Sequence, residues 1–159
     1  MTLRPTRIAY VTGLAVALAA PAALAPVLFA ASALAQGEPI AARQEIMKGV
    51  GNATRTGVQM IRGEAPFDLD TARETFAVYI DASERMPGLF PEGTETGGDT
   101  KAAPAIWEDK EGFDALFVEF GERAAAGLEA TTDQASFQAA LGTATQSCRT
   151  CHEQFRLDN

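Results

Sequence analysis

Two cysteines and one histidine stand together near the C-terminus, in Cys148-Arg149-Thr150-Cys151-His152, and the chain has no other Cys or His. On a helix, residues three and four apart share a face, so both thiols and the imidazole project together. A thiol can add to a vinyl group to form a thioether. Two thioethers at this spacing would hold a porphyrin by its two vinyls and leave the adjacent histidine to reach the iron. C-x-x-C-H is accordingly the attachment signature of c-type haem. Cys148 and Cys151 are the expected thioether sites and His152 the expected proximal ligand of one haem c and its iron. Other uses of the spacing fit less well. A redox C-x-x-C belongs at a helix start after a strand, where the helix dipole lowers a thiol pKa, whereas this pair lies near the end of the last expected helix. Structural zinc takes four ligands, and no further Cys or His exists to complete the set.

The elements that must position these residues are helical. Four stretches carry helical periodicity and none sustains the alternation of a strand. The first spans about 40–61, with Ile40, Arg43, Met47, Val50, Thr54, Val58 and Ile61 on one face and Gly63 as its stop. The second spans about 69–85, capped by Asp68 or Asp70, and ends at Pro87-Gly88. The irregular, Gly-rich segment 90–99 follows. The third begins near Pro104 or near Glu108 and reaches about 129, with Phe113, Leu116, Phe117 and Phe120 in its stripe. The fourth follows Thr131-Thr132-Asp133 and runs to about 156. Four helices with short links predict an all-α, antiparallel up-down-up-down bundle whose interior can hold a cofactor. Glycines at 49, 51, 57, 121, 127 and 142 count against it, at about 1 kcal/mol each relative to alanine.

The N-terminal segment reads as a separate unit. Arg4 and Arg7, an apolar alanine-rich run and Ala33-Leu34-Ala35 make a secretory signal, with cleavage expected after Ala35. Residues 36–159 would then form the mature domain. Losing two arginines and no acid takes the net charge from −8 to −10. Such acidity argues against nucleic acid and anionic lipid as partners. It suits steering toward a basic redox protein, and no membrane association is expected once the leader is gone.

A haem-attachment motif near the C-terminus of a four-helix chain resembles the cytochrome c prime family, the class II c-type cytochromes. The resemblance extends through Arg43-Gln44 and Met47, Gly63 to Asp68, Leu89-Phe90-Pro91, Gly93-Thr94-Glu95, Ile106-Trp107 and Cys148 to Arg156. It implies a periplasmic bacterial haem protein, often a homodimer built through the first two helices. It also implies that Arg43, Gln44 and Asp99 approach the haem edge or its propionates, and that Arg156 is the basic residue beside the proximal histidine. The residues themselves agree in part. Arg43 interrupts an apolar stripe, so it needs either an anionic partner such as a propionate or a route to solvent. Asp99 would repel a propionate unless one of the two is protonated or bridged.

What such a haem does depends on its sixth coordination position. Met47 lies one turn beyond Arg43, and the resemblance puts it on the distal side, either as an iron ligand or as a hydrophobic lid. Met60 and Met86 read as less well placed. A methionine ligand raises the reduction potential and suits a one-electron carrier cycling between Fe(III) and Fe(II). An open position suits a module that binds nitric oxide or carbon monoxide. Electron transfer is the first expectation and gas binding the alternative. An enzyme is not expected, since no other His, reactive Cys or acid–base pair accompanies the distal residue.

Overall fold

The computed structural model describes residues 25–157, with side chains from residue 38 onward. Most of the expected leader, residues 1–24, lies outside the described residues. Five helices follow one another: α1 (Ala25–Ile61), α2 (Leu69–Arg85), α3 (Ala105–Glu108), α4 (Lys110–Ala130) and α5 (Gln134–Phe155), with a 3-10 turn at Pro87–Leu89. The four long ones form the antiparallel bundle, and no strand occurs among the described residues.

Local chemistry explains most of the boundaries. Asp68, rather than Asp70, caps α2 by accepting from the Thr71 backbone N–H. Of Thr131, Thr132 and Asp133 before α5, Asp133 is the cap, in a reciprocal capping box with Ser136. Gly63, at φ 73°, ends α1 in the left-handed conformation that glycine adopts without steric cost. One boundary differs from expectation, and another chooses between two expected positions. Helix α1 begins at Ala25, crossing the expected cleavage point and keeping Pro39 inside it. Of the two starts expected for the third helix, the one near Glu108 is close to that of α4, and the one near Pro104 is that of the short α3. The two are separated at Asp109, whose backbone leaves the helical region (φ −131°, ψ 64°) so that its carboxylate can cap α4 at Gly112. Side-chain capping competes with helix continuation for short acidic residues, and periodicity alone does not register that competition.

The core is aromatic. Phe76, Tyr79 and Phe137 are fully buried, with Phe76 edge-on to both of the others at 6.1 and 5.8 Å. Three of the suspect glycines have a packing reason. A Cβ on Gly127 would stand 2.6 Å from Phe76, one on Gly121 2.6 Å from Ser83, and one on Gly57 2.9 Å from Phe137. Gly49, Gly51 and Gly142 have nothing within 4 Å, so they remain a cost.

Of these glycines, Gly57 matters most for the interior of the bundle. It brings α1 onto α5 at Phe137 and Leu141, and the same end is tied by Gln134 Nε2 donating to the Met60 carbonyl at 3.2 Å. Toward the other end α1 and α5 diverge, and the space between them becomes a cavity.

Candidate cofactor-binding site

The cavity has a volume of about 680 Å³ and is walled mainly by apolar side chains, including Phe90, Phe113, Phe117 and Phe120. Every residue singled out in the sequence for a site borders it: Cys148, Cys151 and His152 from α5, Arg43, Gln44 and Met47 from α1, Asp99 from the irregular segment, and Arg156 just past α5. One turn of α5 thus presents two thiols and an imidazole to a single opening, as their spacing requires.

Both cysteines are free and half-buried. Burial pushes the Cys148 thiol up, and burial together with the neighbouring Cys148 pushes Cys151 up to about 11. Both are therefore protonated thiols at neutral pH, the inert state for metal binding or disulfide exchange. Partial burial, and then the nearby Arg156 cation, lower the pKa of His152. Its ring is kept neutral, with a nitrogen lone pair available to a metal.

On the facing helix, Arg43 is only 6% exposed, so it does not reach out to solvent. Its Nη2 donates to the Thr94 carbonyl at 3.0 Å and its Nε to the Pro39 carbonyl at 3.3 Å. The guanidinium lies 4.4 Å from the Phe90 ring centroid and 6.0 Å from that of Trp107. Desolvation lowers its pKa, and Glu95 partly restores it. Its Nη1 has no hydrogen-bond partner. Gln44 is exposed and donates to the Asp99 backbone carbonyl at 3.2 Å, so it holds the irregular segment rather than the Asp99 carboxylate. Just beyond that segment the chain is fastened to the end of α5, by Leu157 N–H to the Lys101 carbonyl (2.8 Å) and Ala103 N–H to the Phe155 carbonyl (3.0 Å).

Several lining residues are not legible as such in the sequence. Phe113, Leu116 and Phe117 read there as core, and helical periodicity cannot tell a core face from a cavity wall. Of the two methionines read as less well placed, Met86 also borders the cavity, whereas Met60 does not. Ser147, next to Cys148, also lines it and is the second buried side chain with an unpartnered polar atom.

A family model described as Cytochrome C' matches residues 38–156, from within α1 up to and including Arg156. The chain belongs to the cytochrome c' family. It is 42% identical to cytochrome c' of Rhodopseudomonas palustris over 130 residues, 82% of this chain and 89% of that one. It is 38% identical to cytochrome c-556 of Agrobacterium tumefaciens over 116 residues, 72% of this chain and 93% of the other. A solved structure of cytochrome c' from R. palustris superposes with a TM-score of 0.73 at 40% identity, covering 76% of this chain and 97% of that one.

As a cytochrome c' family protein, this chain has haem c as its cofactor, iron included and covalently bound. The cavity fits that group. Its aromatic walls suit a flat apolar ring, its volume lies within the range for bound cofactors, and two protonated thiols stand one helical turn apart. The unpartnered Nη1 of a buried arginine requires an acceptor, which a haem propionate would supply. Among the described residues, no helix is long and apolar enough to cross a membrane.

Proposed function

We propose that this protein is a periplasmic one-electron carrier, its haem fixed by thioethers to Cys148 and Cys151 and its iron held by His152 and Met47. When bound, the haem supplies the Fe(III)/Fe(II) couple. Around it the chain's residues position and shield. His152, neutral beside Arg156, offers the proximal nitrogen. Arg43 offers Nη1 to a propionate while Nη2 stays on the Thr94 carbonyl, so one guanidinium ties cofactor, α1 and the irregular segment together. Arg156 and Gln44 border the haem edge. Two thioethers keep the haem from being lost in the dilute cell envelope, which agrees with the leader-like residues 1–35. A basic redox partner and a homodimer across α1 and α2 belong to the same reading.

The observation that carries the choice of electron transfer is Met47. It lies half-buried on α1 and borders the same cavity as His152 on α5. A thioether so placed can close the sixth position and limit reorganisation when the iron changes oxidation state. The visible absorption spectrum of the purified holoprotein tests this. We expect low-spin iron with a methionine–iron charge-transfer band in the ferric form, and a ferrous spectrum unchanged by carbon monoxide. High-spin iron that shifts on adding the gas would instead make Met47 a lid and the protein a gas-binding module. Cys148→Ala should leave at most one thioether by pyridine haemochrome assay, and a normal two-thioether spectrum would refute the attachment scheme.

A further inference from the structure

Three methionines lie among the residues whose side chains are described, and they divide sharply. Met47 and Met86 border the haem cavity. Met60 is 2% exposed but sits at the opposite end of the bundle, beside Gln134. The relation between the first two rests on one hydrogen bond. The hydroxyls of Tyr79 and Thr54 meet at 2.6 Å, which sets the antiparallel register of α2 against α1 at that level. Met47 precedes Thr54 by seven residues, and Met86 comes seven after Tyr79. Seven residues make two turns to within about 20° and rise about 10 Å. Both methionines therefore stand two turns from the hydroxyl pair, on the faces by which α1 and α2 meet. The helix geometry persists that far: Met86, the C-cap of α2, keeps φ −62° and ψ −44° and donates to the Ala82 carbonyl at 3.0 Å. Met86 is the deeper of the two, at 4% exposure against a half-buried Met47.

We propose that Met86 is a positioning residue for the sixth coordination position, holding the Met47 thioether toward the iron and so deciding, with Met47, whether a diatomic gas can enter. This rests on the reading of Met47 as the sixth ligand. A methionine side chain turns about three bonds and fills many shapes equally well. One that must deliver its sulfur to a single point needs a neighbour that removes the other shapes. Met86 stands at the right level, is itself buried, and borders the same space.

The test uses the holoprotein and three variants, Met86→Ala, Met86→Leu and Met60→Ala. Their ferric and ferrous visible spectra, carbon monoxide affinities and melting temperatures are compared. We expect Met86→Ala to convert part of the ferric iron to high spin and to give a ferrous spectrum that carbon monoxide shifts, where the wild-type one stays unchanged. Met86→Leu, which keeps the volume, should restore the wild-type behaviour. Met60→Ala should lower the melting temperature and leave spectrum and gas affinity alone. A Met86→Ala protein that melts earlier but keeps the wild-type spectrum and gas affinity overturns the proposal, because Met86 is then core and nothing more. The wild-type spectrum tests Met47 separately. If it is high-spin, the ligand reading falls and the role of Met86 falls with it; if it is low-spin, the Met86→Ala spectra alone decide that role.

Discussion

A buried arginine with one nitrogen unpartnered is costly to keep, and Arg43 is kept by three neighbours: the Thr94 carbonyl, the Pro39 carbonyl and the Phe90 ring. In the proposed contact with a propionate, its cation should favour the reduced, less positive iron. Arg43→Leu is accordingly expected to lower the reduction potential in a spectroelectrochemical titration, and to loosen the segment that Thr94 belongs to. Tyr79 gives a pH signature of a different kind. Burial pushes its pKa up to about 12, against the opposing effect of its hydrogen bond with Thr54. A group whose pKa is raised on folding contributes stability that is complete below its unfolded value, about 10 for tyrosine, and is lost as pH rises toward the folded one. Urea denaturation should therefore show an alkaline loss between about pH 10 and 12, on the order of 2–3 kcal/mol. Tyr79→Phe should flatten that slope, and an equally steep loss in the variant would assign it to another group.

Among the elements, the cavity exists because α1 and α5 touch at one end and part at the other. Gly57 permits the touch, since a Cβ there would lie 2.9 Å from Cζ of the fully buried Phe137. Gly57→Ala gains about 1 kcal/mol of helix propensity but overpacks a rigid ring at about 1–3 kcal/mol, so the overpacking should win and the melting temperature fall. Gly142 lies on α5 with nothing within 4 Å. There Gly142→Ala should keep the propensity gain and raise the melting temperature. The pair of measurements separates a structural glycine from an incidental one. In sequence Gly57 and Gly142 look alike, because what distinguishes them is the side chain that each one faces.

For the molecule as a whole, the net charge of −8 sets the long-range field, while Lys101 and Arg156 stand at the cavity. At about 10 mM salt the Debye length, near 30 Å, lets a partner feel the entire acidic body, but at 150 mM it shrinks to about 8 Å. Electron exchange with a basic redox protein, measured by stopped flow, should therefore slow steeply between those two salt concentrations. A rate that rises with salt would mean that the local cations, not the net charge, govern docking. Sedimentation of the holoprotein over a range of concentrations would test the homodimer.

Much of the haem chemistry is readable along the chain because it is local. Cys148, Cys151 and His152 share a helix, and the 3.6-residue period alone brings them to one face. Caps such as Asp133 and the stop at Gly63 are local in the same way. What sequence could not decide lies between helices. Whether Arg43 turned inward depended on the Thr94 carbonyl, 51 positions away. That Met86, rather than Met60, reached the cavity depended on the register set by Tyr79 and Thr54. The start of the third helix stayed open between Pro104 and Glu108, because capping and continuation compete at Asp109. Spacing along the chain determined which residues could hold the haem. Only the packing of α1, α2 and the irregular segment against α5 decided what faces it, because those contacts join residues that no sequence period relates.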